Sequence, residues 1–120
     1  MAQNFAYDDY IVNVLGGDPV NTYGVDNAVV PATETLLCTY TVVNANAILK
    51  GVYADGNTDG RFKLYVNSTA VWEDRNAWTQ RGVTGTVEKA VVAGDVIDLK
   101  VTNLKTTNHR FTGGFYVYEL

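Results

Sequence analysis

The stretch Phe111-Thr112-Gly113-Gly114-Phe115-Tyr116-Val117-Tyr118-Glu119-Leu120, with the run Gly94-Asp95-Val96-Ile97-Asp98-Leu99-Lys100-Val101 before it, decides the fold. Ile97, Leu99 and Val101 alternate with Asp98 and Lys100, the period of two that puts one set of side chains on each face of a half-buried strand. From Phe115 to Leu120 aromatic and aliphatic side chains point both ways. That predicts a strand covered on both faces, either central in a sheet or sealed by a partner chain.

Upstream the same period recurs. Val83 to Val92 alternates Val83, Gly85 and Val87 against Thr84, Thr86 and Glu88, and Arg61 to Val66 directs Phe62, Leu64 and Val66 inward. Asn67-Ser68 reads as a two-residue hairpin turn, since Asn tolerates the positive φ such turns require. The return strand is Ala70 to Asp74. A two-residue loop pairs Leu64 with Val71, whereas a three-residue loop pairs Lys63 with Glu73; the sequence leaves both registers open, and the choice sets the face of Trp72. Thr35 to Val43 and Ala47 to Ala54 are well-covered runs, read as neighbouring central strands. Residues 16–24 read as a loop, and Val25 to Val30 as a short strand ended by Pro31. About eight strands without a sustained period of 3.6 predict an all-β, single-domain antiparallel β-sandwich: an N-terminal strand or arm over residues 1–15, then the sandwich over 16–120.

Composition narrows the function classes. Of the 120 residues only 18% are charged, the net charge is -4, and the basic residues are scattered. Phosphate binding needs concentrated Lys and Arg, so no nucleic-acid partner is expected. The lone Cys38 excludes an intrachain disulfide and reads as a buried apolar thiol. No run reaches the ~18 apolar residues of a membrane span, and Met1-Ala2-Gln3-Asn4 does not open a secretory signal. A product made and kept in the cytosol, or assembled there into something larger, is the expectation.

Candidate chemistry is sparse. Asp55-x-Asn57-x-Asp59-Gly60 matches the first half of a calcium loop, but Val66 stands where its bidentate Glu belongs. A tight turn of Asp, Asn and Gly is the simpler reading beside weak calcium binding at Asp55, Asn57 and Asp59; no other cofactor is expected. His109 reads as an exposed loop residue without a positioned partner, and Ser68 lies in a turn. The pairs Asp8-Asp9 and Glu73-Asp74 occupy adjacent strand positions that face opposite ways, which suits solvated edges or cross-strand ion pairs and not a glycosidase. No enzyme is expected. The aromatics are the best functional candidates, because Trp and Tyr anchor interfaces and stack on sugars. Phe5, Tyr7 and Tyr10 would anchor the arm, and Trp78 and Tyr116 are expected to be exposed.

Ala93-Gly94-Asp95-Val96 with Phe111-Thr112-Gly113-Gly114-Phe115-Tyr116 resembles the ending of the C1q and tumour-necrosis-factor jelly rolls. That resemblance implies a jelly roll, a homotrimer and a subunit-interface row of Tyr116 and Tyr118 on the last strand; with no collagenous or coiled-coil stalk expected before the domain, the sandwich or its support would hold the trimer. Ile48-Leu49-Lys50-Gly51-Val52-Tyr53 through Trp72-Glu73-Asp74-Arg75-Asn76-Ala77-Trp78 resembles small β-sandwich proteins of tailed-bacteriophage virions, among them capsid decoration or cement proteins. What this resemblance implies is a virion protein that stabilises the shell through contacts with the major capsid protein or another virion protein. The alternative is a carbohydrate- or receptor-binding module of a tail appendage, with a glycan as partner.

Overall fold

The computed structural model describes residues 18–77 and 79–120, and among them eight strands and two sheets. The strands are β1 (Asp18–Val29), β2 (Glu34–Thr41), β3 (Ala47–Gly56), β4 (Gly60–Val66), β5 (Thr69–Arg75), β6 (Val83–Val91), β7 (Val96–Asn103) and β8 (His109–Glu119). One sheet has the order β1-β8-β3-β6 and the other β2-β7-β4-β5, every pairing antiparallel. That strand order is a jelly roll. β8 lies between β1 and β3, a central strand as its two-faced apolarity demands.

The core forms where the inward phases of the two sheets meet. Phe62 and Leu64 of β4 and Ile97, Leu99 and Val101 of β7 face Leu49, Val52, Phe111, Phe115 and Val117, all essentially without exposure. Phe62 and Phe111 bridge the sheets edge to face, with ring centroids 5.9 Å apart; such pairs add about 0.5–1.5 kcal/mol beyond area burial.

Two local expectations are corrected, and one register left open by the sequence is settled. Residues 18–24 do not form a loop: β1 runs unbroken through them because β8 offers a full ladder, from Asp18 opposite Glu119 to Val25 opposite Thr112. Pro19 is tolerated because β1 is an edge strand, and Gly24 is needed because a Cβ there would lie 1.8 Å from the Leu37 carbonyl oxygen. The runs that become β2 and β3 are not neighbours but belong to different sheets, β2 at an edge and β3 inside. At the hairpin, Asn67 and Ser68 take φ of 50° and 69° in a two-residue loop, yet Lys63 pairs with Glu73. A bulge at Val71 reconciles the two registers and turns Trp72 inward, packed against the core. The expected arm over residues 1–15, with Phe5, Tyr7 and Tyr10, lies outside the described residues, as does Trp78.

Buried polar side chains tie the loops down. Asn76 accepts from the Gly60 amide at 2.7 Å and donates to the carbonyls of Gly56 at 3.3 Å and Arg81 at 2.9 Å. Asn103 donates to the carbonyls of Val29 at 2.9 Å and Thr107 at 2.8 Å, and accepts from the Lys105 amide at 2.9 Å. Each satisfies backbone groups that would otherwise be stranded away from water.

Candidate functional site

The outer face of the β1-β8-β3-β6 sheet collects the tyrosines. Cross-strand register sets Asn21, Tyr116, Gly51 and Thr86 in one row, and Tyr23, Gly114, Tyr53 and Thr84 in the next. Glycine makes this packing possible. A Cβ on Gly51 would meet the Tyr116 ring at 2.8 Å, and one on Gly114 would meet the Tyr53 hydroxyl at 2.5 Å, so each ring lies over a neighbouring strand's glycine. The Tyr53 hydroxyl donates to Asn21 Oδ1 at 2.9 Å, pinning the ring across β8. Tyr23 and Tyr53 are nearly parallel, at 20° with centroids 6.3 Å apart, while Tyr116 and Tyr118 meet edge to face at 6.2 Å.

Tyr118 and Gly114 are four residues apart on β8, about 13 Å, so the face has two ends. At the Tyr118 end the sandwich carries exposed aliphatic side chains: Val43 is 71% exposed, Val92 52% and Leu120 36%. Each rides on a pinned backbone. The Val43 amide donates to Glu119 Oε1 at 3.0 Å and the Asn44 amide to the same oxygen at 2.6 Å, while the Tyr40 hydroxyl donates to Oε2. Burial pushes the Glu119 carboxyl up, but the Tyr40 hydroxyl and the two amides outweigh it and hold the group below the usual carboxylate range. The Val92 amide donates to Asp95 Oδ2 at 2.9 Å, and Asn67 Nδ2 donates to Oδ1 at 2.8 Å. Those two bonds, the Val92 amide first, hold Asp95 low as well. The Leu120 amide donates to the Asn46 carbonyl at 2.9 Å.

At the opposite end a cavity of about 360 Å³ opens between Tyr23, Tyr53, Asp55, Val83, Thr84 and Thr112. Its walls are strand residues, the aromatic pair among them, with Gly82 just before β6, and its rim carries the exposed Asp55 carboxylate.

The remaining sequence candidates disperse. Asp55, one residue before the end of β3, lies opposite Thr112, Asn57 lies in the turn, and Asp59 pairs with Lys105 at 3.5 Å. Gly60, read as the sharp-turn glycine of a calcium loop, has a packing role: a Cβ there would stand 2.5 Å from the Phe111 ring. Val66, at the last ligand position, is buried in the core. His109 is not in a loop but opens β8, half-buried, with Nε2 3.0 Å from the Thr107 hydroxyl. Glu73 forms cross-strand ion pairs with Arg61 at 3.5 Å and Lys63 at 3.7 Å. Cys38 is buried, as expected. Tyr116 and Tyr118 do share the outer face, but Tyr116, expected to be exposed, is half-buried, its ring lying over Gly51. Tyr23 was missed because it fell in the stretch read as a loop; Gly113-Gly114, a glycine pair inside an aromatic strand, is the signal that marks a close approach there.

No protein-family model and no curated protein matches the chain. Solved structures do match. The chain is similar to one in the cyanophage Pam1 capsid asymmetric unit, at 14% identity over 87% of this chain and 86% of that one, with a TM-score of 0.54. It is similar to Bacillus endospore appendages described as disulfide-linked pili, at 14% identity, 87% and 90% coverage and a TM-score of 0.51. It is also similar to the CBM36-1 domain of a multidomain xylanase from the hindgut metagenome of Trinervitermes trinervoides, at 8% identity, 86% and 98% coverage and a TM-score of 0.51. At such identities the likeness establishes the β-sandwich fold alone. The narrower C1q and tumour-necrosis-factor resemblance is not confirmed by these structures. Among the described residues no helix is long and apolar enough to cross a membrane.

Proposed function

We propose that this chain is a structural protein of a phage virion, a capsid decoration protein that sits on the shell by its Tyr118 end. The observation that carries the reading is the set of exposed aliphatic side chains there, Val43, Val92 and Leu120, each fixed on hydrogen-bonded backbone. Exposed apolar groups held in one geometry suit a contact surface, because they gain by leaving water and lose little freedom in doing so. Tyr116 and Tyr118, half-buried on the adjoining sheet face, extend the surface with aromatic anchors. Its work would be contact area without turnover, with interfaces of about 2,000 Å² or more against the shell and between copies. The similarity to a phage capsid chain of nearly equal length, by mutual coverage, supports the reading.

Mass spectrometry of density-banded particles from the source culture tests it: the chain should band with the particles, and Val43→Asp or Tyr118→Arg should release it. A chain that stays in the soluble fraction overturns the proposal. Light scattering tests the homotrimer, which requires three times the chain mass.

A further inference from the structure

We propose that the cavity bounded by Tyr23, Tyr53 and Asp55 binds a neutral saccharide, one pyranose ring lying on the tyrosine pair while its hydroxyls donate to the Asp55 carboxylate. At about 360 Å³ the cavity lies at the small end of the range for ligand pockets. The two rings are 6.3 Å apart and nearly parallel. A ring held between them would need about 7 Å, twice the van der Waals contact distance, so nothing enters between them. They form a platform, open on the side of Tyr23, which is 55% exposed. A platform suits the flat C–H face of a sugar, whereas the strongest recognition of a quaternary ammonium comes from an aromatic cage, which two rings on one open face do not make.

The polar groups fit the same ligand. None of the residues lining the cavity is Lys or Arg, which disfavours phosphate, sulfate or uronate. Asp55 is an acceptor, and the hydroxyls of Thr84 and Thr112 can donate or accept; Thr112 gives its proton to the Gly24 carbonyl at 3.2 Å and keeps its lone pairs for a ligand. A donor-rich, uncharged molecule is what this set recognises. The site is also rigid: Tyr23, Tyr53, Val83, Thr84 and Thr112 stand on β1, β3, β6 and β8, and Tyr53 is held by Asn21. Sites carried on strands keep their geometry better than sites on loops. Because the cavity lies at the opposite end from Tyr118, attachment there leaves it open outward.

The test is an array of neutral mono- and oligosaccharides probed with the isolated folded chain, followed by calorimetric titration of the strongest ligand. Tyr23→Ala and Asp55→Asn should each weaken binding tenfold or more, with circular dichroism unchanged, while Tyr118→Ala keeps full affinity. The proposal is overturned if the folded chain binds no neutral glycan. It is equally overturned if Tyr23→Ala leaves the affinity unchanged, or if tetramethylammonium or an arginine-rich peptide takes the cavity instead. Glycan binding by a chain not found on particles upholds the cavity and removes only the virion reading.

Discussion

Replacing Glu119 with alanine removes the acceptor for three donors at once: the Tyr40 hydroxyl and the amides of Val43 and Asn44. Hydrogen bonds to a charged group contribute about 1.5–3 kcal/mol each. Val43 is exposed and Asn44 half-exposed, so water can take over part of the loss there. Tyr40 and the 5%-exposed carboxylate site have less recourse, and a net cost of about 3 kcal/mol follows. For a domain of this size that lowers Tm by about 12 °C. The pH dependence has a definite sign. The folded pKa of Glu119 is depressed, so its contribution is full above the ordinary carboxylate pKa and is lost as pH falls through the folded value. Glu119→Gln keeps the shape and one acceptor but cannot ionise, so the gap in Tm between it and the unmodified chain should be widest near about pH 7 and narrow towards about pH 3. Thermal melts followed by circular dichroism measure both. An alanine variant that melts within about 2 °C of the unmodified chain, or a gap constant across that pH span, refutes the reasoning.

Cys38 should resist thiol reagents in the folded chain and react on unfolding, because burial, with Asp98 nearby, pushes its pKa up to about 12; rapid native labelling would contradict this. Tyr40 and Tyr65 should ionise late, each with a pKa pushed up to about 12. Burial leads at Tyr40, ahead of Glu119, and the hydrogen bond to Glu34 leads at Tyr65. Their contribution is full below the ordinary tyrosine pKa and is lost as pH rises through the folded value, so ultraviolet titration of Tyr40→Phe and Tyr65→Phe should each lose a late phenolate step. Gly114→Ala should cost about 1–3 kcal/mol by overpacking, read in urea melts, because its Cβ would stand 2.4 Å from the Thr22 carbonyl oxygen as well as 2.5 Å from the Tyr53 hydroxyl and so must shift the β1 backbone and not the ring alone. Asn76→Ala should cost about 2–4 kcal/mol, since it strands the Gly60 amide and two carbonyls; a midpoint unchanged in urea would contradict that.

The alternation of Phe62, Leu64 and Val66 and of Ile97, Leu99 and Val101 made the core of β4 and β7 legible, and the two-faced apolarity of Phe115 to Leu120 made β8 central. The first half of β1 was not legible because its strand character comes from pairing with β8 and not from its own Asp, Pro, Asn and Gly. The bulge at Val71 was hidden for a similar reason: both turn and register are local readings, and only packing of Trp72 against the core selects the irregular solution. That Tyr116 and Tyr118 share a face was legible from the strand phase, whereas the cavity needed Tyr23, Tyr53 and Asp55 brought together from β1 and β3, two strands that flank β8 and lie far apart in sequence. Glu119 carried a readable signal. A carboxylate in the inward phase set by Phe111, Phe115 and Val117 must find donors, and it finds them in the loop after β2.

That loop is where stability and the proposed contact surface meet. Glu119 and Asp95 each spend an ionised carboxylate on the backbone of a residue whose own side chain is left in water, Val43 and Val92. If the exposed valines served nothing, a polar residue at either position would keep the same backbone bonds and improve solubility, because the pinning acts through the amide and not the side chain. The arrangement therefore separates two roles in one residue: the main chain holds the turn, and the side chain is free to meet a partner. Val43→Ser then makes a sharper test of the surface than Glu119→Ala. It should leave Tm within about 2 °C, since an exposed substitution shifts stability by about 0.5 kcal/mol or less, while weakening attachment to particles. Equal attachment by Val43→Ser would remove that side chain from the surface and with it the strongest part of the reading.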